Sequence, residues 1–355
     1  MCFVDYQKAF DRVNHDKLLE VMEIAGIPEL ERRLIINLYW HQKATVRWDN
    51  EVSRYVDIKR GVRQGCIISP ILFNLYSEFM IAEALEGESG VSFNGNNVSN
   101  LRYADDAVLV ADTKKKLQRL IDKLGESCKV YGMAINIKKT KVMVVCKEGK
   151  TQCTITLDNT VLEQVERYKY LGSWITENAR CEEDIKARIG MAKAAFWQNK
   201  EIMRRNVRFR TKKKILNCYV FSVLNYGCES WTWNKAMCRR VDAFEMWCYR
   251  RMLKISYKDR VTNNEVLHRV REDLHFMTDM KKRKLMFGGH LMRGSSGEAH
   301  LYILEGKVNG TKNRGRPRLT WMNDVIEWTG LKTYENVKRT AEDRDKWRAI
   351  VVNLL

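Results

Sequence analysis

Apolar positions change period along the first half of the chain, and the elements they predict alternate. Phe3-Val4-Asp5 reads as a strand. From Asp16 to Ala25 the spacing is helical, with Leu18, Leu19, Met22 and Ala25 on one face and a stop at Gly26. Pro28 suits the first turn of a second helix running through about Trp40. Thr45–Trp48 and Tyr55–Ile58 flank Asp49-Asn50 as a hairpin. Ser69-Pro70 reads as an N-cap and a first-turn proline, with Ile71, Leu72, Leu75, Phe79 and Met80 as one apolar stripe behind them. After a short hairpin at 98–112, Thr113 caps a helix with Leu117, Leu120, Ile121, Leu124 and Cys128 on one face. Strands are expected at Val142–Cys146, Thr154–Leu157 and Tyr168–Ile175, and from about Cys181 the pattern is mostly helical. The order strand, helices, hairpin, helix, strand predicts an α+β fold: an antiparallel sheet with helices on one face, in a split βαβ arrangement.

The hairpin at 98–112 changes the picture. Its turn carries Tyr103-Ala104-Asp105-Asp106, and Asp5 stands alone in the first apolar strand. Adjacent acids in a turn are ordinarily solvated turn formers. Three carboxylates brought together repel, by about 1 kcal/mol per pair at 4 Å in water and about 4 kcal/mol at an effective dielectric near 20. A fold tolerates that when cations neutralise the cluster. Hard oxygen ligands in an open site suit Mg²⁺, and paired ions suit in-line nucleotidyl transfer. That chemistry points toward a polymerase palm.

Composition narrows the partners. The 355 residues are 45% apolar, enough for a sizeable core, and no run approaches the ~18 apolar residues of a membrane-spanning helix. No signal peptide is read at the start. The net charge of +19, from 63 Lys and Arg against 44 Asp and Glu, calls for a polyanion, and beside a carboxylate cluster that means nucleic acid rather than a membrane. Ten scattered cysteines, several in apolar runs, fit reduced thiols and a nuclear and cytoplasmic setting. Cys218, Cys228, Cys238 and Cys248 recur every ten residues, which is not a zinc-ligand spacing, and are expected to be helix-core residues.

Five blocks stand in order: Phe3-Val-Asp-Tyr-Gln-Lys-Ala-Phe-Asp-Arg12, Arg60-Gly-Val-Arg-Gln-Gly-Cys-Ile-Ile-Ser-Pro70, Tyr103-Ala-Asp-Asp106, Gly132-Met-Ala-Ile-Asn-Ile-Lys-Lys-Thr-Lys141 and Tyr168-Lys-Tyr-Leu-Gly-Ser173. Together they resemble motifs A to E of reverse transcriptases, in wording similar to non-LTR (LINE-type) retrotransposon enzymes. Leu224–Trp233, Tyr249–Ser256 and Gly315–Trp321 resemble segments that follow the polymerase core in such elements. The resemblance implies RNA-directed DNA synthesis from dNTPs on an RNA template with a DNA primer or target, using two Mg²⁺ ions, with Mn²⁺ as an alternative. It implies Asp5, Asp105 and Asp106 as metal ligands, the last as ligand or tuning neighbour. Phe10 becomes a steric gate against the ribose 2′-hydroxyl, and Gln64 and Gly65 meet the incoming nucleotide. Lys139 becomes the proton donor to pyrophosphate, with Lys138 and Lys141 as competitors for that role. Tyr170, Leu171 and Gly172 become the primer grip.

The later half is more basic. Lys200–Lys214 holds eight Lys or Arg against one Glu, so Arg204, Arg205, Arg208, Lys212 and Lys213 are candidate phosphate contacts. Lys281-Lys-Arg-Lys284 reads as a localisation signal or another phosphate contact. Arg314 and Arg316, in Arg-Gly-Arg-Pro-Arg, resemble an AT-hook core, with a plain basic loop as the alternative. The resemblance implies a palm over 1–178, a thumb-like helical region over 179–260 and a basic C-terminal region over 261–355. No fingers block precedes the first motif, and no endonuclease is seen, so a truncated element is expected. A non-catalytic nucleic-acid-binding remnant is the alternative. An RNA-dependent RNA polymerase or maturase-like relative is disfavoured by Phe10.

Overall fold

The computed structural model of the chain describes residues 1–146, 151–271, 273–295, 297–306 and 319–354. They gather into two compact units, one from Met1 to Tyr168 and one from Lys169 onward.

The first unit is built on a five-stranded sheet. Its elements are β1 (Cys2–Val4), α1 (His15–Ile24), α2 (Glu29–Tyr39), α3 (Ser69–Leu85), β2 (Asn100–Tyr103), β3 (Asp106–Leu109), α4 (Lys114–Val130), β4 (Lys141–Val142) and β5 (Glu163–Gln164), with shorter turns and hairpins between. The sheet order is β5-β4-β1-β3-β2. All pairs are antiparallel except β4 with β5. β1 is the middle strand, and all three of its residues are buried. That is why an apolar run without alternation forms it: both faces are covered. Asn14 caps α1 by accepting from the Asp16 and Lys17 amides. Thr113 caps α4 by accepting from the Lys116 amide. Leu117, Leu120, Ile121, Leu124 and Cys128 are all buried along α4, as the spacing predicts. Each such leucine or isoleucine contributes about 1.5–3 kcal/mol.

Several expectations need correction. Ile71 is 65% exposed, and the buried face of α3 runs through Leu72, Phe73, Tyr76, Met80, Ile81 and Ala84. α3 packs against both α1 and α4, so two partners rather than one select its apolar face. Its N-cap is Ile68, and the Ser69 hydroxyl instead pairs with Tyr39 Oη at 2.8 Å. The hairpin about Asp49-Asn50 forms, but as two short pairs, Arg47–Trp48 with Glu51–Val52 and Lys43–Ala44 with Val56–Asp57. Tyr168–Ile175 is not one strand. Arg167–Tyr170 and Ser173–Thr176 are separate strands of a hairpin, turning at Leu171 and Gly172 with φ of 46° and 83°.

The second unit is helical: α5 (Glu182–Gln198), α6 (Lys235–Met252), α7 (Phe276–Met292) and α8 (Trp321–Thr329), with shorter helices between and after them. One core gathers Phe196, Leu216, Trp231, Phe244, Tyr249 and Phe276, and a smaller one gathers Leu285, Val325, Val337 and Trp347. Three buried acids tie the helices together. Asp184 accepts from the Trp174 amide at 2.9 Å and Trp231 Nε1 at 2.8 Å. Glu245 accepts from Tyr249 Oη at 2.7 Å and the Phe276 amide at 2.9 Å. Asp324 accepts from Lys284 Nζ at 2.5 Å and the Trp233 amide at 3.0 Å. Lys284 is fully buried, also donates to the Trp231 carbonyl at 2.7 Å, and lies over the Trp321 and Trp328 rings at 4.9 and 5.4 Å.

Lys284 therefore does not belong to a surface basic run. One helical turn sends the fourth residue of Lys281–Lys284 inward. The expectation that the four recurring cysteines are helix-core residues holds only in part, since they lie on three different elements rather than one helix. Cys228 and Cys248 are buried, Cys238 is half-buried and Cys218 is exposed, all as free thiols. No helix among the described residues is long and apolar enough to cross a membrane.

Candidate active site

Strand register brings the acids to one end of the sheet. β1 pairs with β3 as Cys2 with Leu109, Phe3 with Val108 and Val4 with Ala107. Asp5 follows Val4 and Asp106 precedes Ala107, so the two acids adjoin the last pair of that register. β2 and β3 close with Tyr103 opposite Asp106, leaving Ala104-Asp105 as a two-residue turn. Ala104 sits in the left-handed region at φ 53°. A residue with a Cβ is unfavourable there, and such local strain clusters at functional turns. Asp105 at the tip is exposed, and Asp106 is half-buried.

The acids influence one another. The Asp106 carboxyl is pushed above its ordinary value by burial, then by the Asp105 and Asp5 charges. Asp5 Oδ1 is buried and accepts no hydrogen bond. Its nearest cation is Lys139 Nζ at 3.8 Å, an exposed ammonium. Lys141 is otherwise engaged, bonding Glu163 and the Lys138 carbonyl, each at 2.6 Å.

Residues that the motif reading left without a role set this geometry. The Asn136 amide donates to the Asp5 carbonyl at 2.7 Å, and the Asp5 amide donates to Thr140 Oγ1 at 3.3 Å. The Lys139 amide donates to the Asn136 carbonyl at 3.1 Å. The fourth block thus holds Asp5 and Lys139 through one tight turn. Tyr168 stacks on Phe3 with ring centroids 4.1 Å apart. Burial, then the Asp106 and Asp5 charges, raise its phenol above the ordinary value. Asn136, Thr140 and Tyr168 all lie inside the five ordered blocks, which was the available signal.

Phe10 is half-buried and stacks on Phe73 with centroids 4.7 Å apart, so its ring belongs partly to the core. Gln64 and Gly65 are exposed in the loop before α3. Gly65 has φ +83°, and a Cβ there would meet nothing within 4 Å, so backbone conformation alone requires glycine.

In the helical unit, Gly172 and Leu171 of the expected grip offer their carbonyls to Arg188 at 2.6 Å and Tyr226 Oη at 2.8 Å. Tyr170 is half-buried just before that turn. Arg204, Arg205 and Arg208 are exposed and Lys213 is half-buried. Lys212 turns inward instead and donates to the Met252 carbonyl at 3.2 Å. Burial and the neighbouring Lys254 ammonium lower its pKa, so it is not a surface phosphate contact. Arg314 and Arg316 lie outside the described residues.

The donor set suits a hard divalent ion: carboxylate oxygens at one end of the sheet, one of them buried and accepting no hydrogen bond. Among the described residues, however, no three His, Cys, Asp or Glu side chains converge closely enough to enclose one ion.

With that geometry in view, residues 1–175, just under half of the chain, match the family described as reverse transcriptase (RNA-dependent DNA polymerase). Its relatives place it with the non-LTR retrotransposons. A transposon-derived protein of Caenorhabditis elegans is 29% identical over 272 residues, covering 73% of this chain and 96% of that one. The Pol polyprotein of the R2 element of Drosophila melanogaster is 29% identical over 192 residues, covering 50% of this chain and 18% of that one. The RNA-directed DNA polymerase of the mobile element jockey of Drosophila funebris is 27% identical over 177 residues, 48% of this chain and 19% of that one. The chain thus spans nearly all of the nematode relative and under a fifth of the two element polymerases.

Proposed function

We propose that this chain carries the palm of an RNA-directed DNA polymerase over residues 1–178, followed by a thumb-like region over 179–260 and a basic region over 261–355. The observation that carries the reading is the strand register whose last pair adjoins Asp5 and Asp106, acids whose charges influence each other, with Asp105 at the neighbouring turn. Asp5, Asp105 and Asp106 would hold Mg²⁺ or Mn²⁺. When bound, such ions supply Lewis acidity to the primer 3′-hydroxyl and neutralise triphosphate charge.

The chain's own groups position and stabilise. Asn136 and Thr140 fix the backbone of Asp5. Lys139 holds a positive charge beside Asp5, where it meets pyrophosphate as the 3′-hydroxyl displaces it from the α-phosphate. Phe10, braced by Phe73, excludes a ribose 2′-hydroxyl and so selects dNTPs. Gln64 and the Gly65 backbone contact the nucleotide. Tyr170, Leu171 and Gly172 position the primer end. Arg204, Arg205, Arg208 and Lys213 follow phosphates of the RNA template and DNA primer.

The test is dNTP incorporation on a primed RNA template with Mg²⁺, comparing the chain with Asp105→Ala. Incorporation that Asp105→Ala abolishes supports the reading. Incorporation that Asp105→Ala leaves intact removes it. The open spacing of the acids favours one second reading, a non-catalytic nucleic-acid-binding protein. That reading predicts salt-sensitive RNA binding, no incorporation, and no effect of Asp5→Ala or Asp105→Ala on affinity.

A further inference from the structure

The segment Tyr249–Ser256 has no role in the chemistry above, yet it ends α6 beside a pocket of about 550 Å³. Arg250, Arg251 and Lys254 line this pocket with Arg204, Trp197 and Tyr257, and no carboxylate lines it. Trp197 is 47% exposed and Tyr257 86% exposed. Both rings are therefore open to a ligand. The Arg251 guanidinium lies 3.8 Å over the Trp247 ring and 5.6 Å from the Trp197 ring, and the two rings meet edge to face with centroids 5.9 Å apart.

Cations at a helix C-terminus have an ordinary explanation, since they complement the helix dipole and its free carbonyls. Arg250 fits it: its guanidinium donates to the Val261 carbonyl and the Asn263 side chain, at 2.9 and 2.8 Å. Lys254 and Arg204 do not. Both are exposed, and no hydrogen bond or ion pair engages their side chains among the described residues. Lys254 also occupies the left-handed position after α6, at φ 59°, where glycine is the usual residue. A lysine there is strained, and the strain places an ammonium at the pocket mouth.

We propose that Trp197, Tyr257, Arg204, Arg250, Arg251 and Lys254 form a binding site for single-stranded nucleic acid, the rings stacking unpaired bases and the cations meeting phosphates. Flat apolar faces interleaved with uncompensated cations match that ligand and no neutral one. The site rests on the polymerase reading in that both involve nucleic acid and share Arg204 as a phosphate contact. It requires neither dNTPs nor metal.

The experiment measures fluorescence polarisation of labelled oligo(U) and oligo(dT) strands of roughly 12 nucleotides, within the usual site size. The full chain carrying Asp105→Ala is used in EDTA, so this outcome is separate from that of polymerisation. Tyr257→Ala should weaken single-strand binding by roughly 5- to 100-fold, the range for losing one stacked base. Trp197→Ala should do the same, and Trp197→Phe should restore binding. Arg204→Gln should flatten the salt dependence by about 0.7 in the log–log slope. Affinity for a matched duplex should stay within about twofold of the parent in Tyr257→Ala, since paired bases do not stack on the pocket. The proposal is overturned if Tyr257→Ala and Arg204→Gln bind both strands as the parent does. It is equally overturned if duplex affinity falls in step, or if polyglutamate displaces the strands as well as unlabelled oligonucleotide does.

Discussion

Asp184, Glu245 and Asp324 lie buried in the helical unit, and each accepts at least two hydrogen bonds from groups fixed by neighbouring helices and loops. Asp5, in the sheet unit, keeps a buried oxygen that accepts none, and Asp106 is held protonation-prone by burial and by its acidic neighbours. The same functional group is thus treated in two ways. A buried charge without partners costs several kcal/mol, so a fold built only for stability satisfies it. The helical unit does so, and its acids are structural joints. The sheet unit leaves its acids mutually repelling at one end of the sheet, with only the exposed Lys139 ammonium 3.8 Å from Asp5, an arrangement that suits a bound cation.

Breaking the contrast should be most visible in activity. Asp5→Asn is expected to lower Mg²⁺-dependent dNTP incorporation by at least about a thousandfold, the upper end for loss of one charge-stabilising group. Its melting temperature should not fall. A parallel loss of stability would put Asp5 among the structural acids instead. The converse holds for Lys284→Met, which strands Asp324 without its cation and should cost roughly 3–5 kcal/mol in urea unfolding. Lys139→Ala comes next, with incorporation reduced about 100-fold at unchanged primer–template affinity. If Lys138→Ala or Lys141→Ala gives the larger loss, the proton-donor role moves to that residue.

The smallest effect sharpens the comparison through pH. The folded Asp106 carboxyl titrates above its unfolded value. Its contribution to stability is therefore most favourable below the unfolded carboxyl pKa and is lost as pH rises through the raised folded value. Asp106→Asn should melt slightly higher than the parent at neutral pH in EDTA. The difference should vanish once the pH falls below the ordinary carboxylate range. A variant that melts lower at neutral pH would show Asp106 to be stabilising.

What the sequence disclosed was local. The Thr113 cap, the α4 stripe and the Tyr103–Asp106 turn are each written within a few residues, and the structure bears them out. Five ordered blocks also sufficed to identify the family. What stayed hidden depends on partners far along the chain. Lys284 looks like one member of a basic run because its acid lies 40 residues later, on α8. Lys212 looks like a surface cation because the carbonyl it bonds is 40 residues away at the end of α6. Ile71 looks buried because one helix face was read where two neighbours choose two faces. Within the site, Asp5 was legible as an acid in an apolar strand. The backbone bonds from Asn136 and to Thr140 that orient it belong to a tertiary turn, which no periodicity encodes.

The place of β1 in its sheet has a kinetic side. This strand leads directly into Asp5 and is translated before the other strands of its sheet. Yet its two partners are β3 and β4, and the Asp5 amide finds Thr140 only 135 residues later. Contacts of such long range are slow to close, because the loop entropy is paid before the pairing rewards it. During synthesis at about 5–20 residues per second, β1 therefore waits several seconds with its apolar faces and both hydrogen-bonding edges open. The end of the sheet that carries the acids therefore cannot close until the segment around Thr140 has been made.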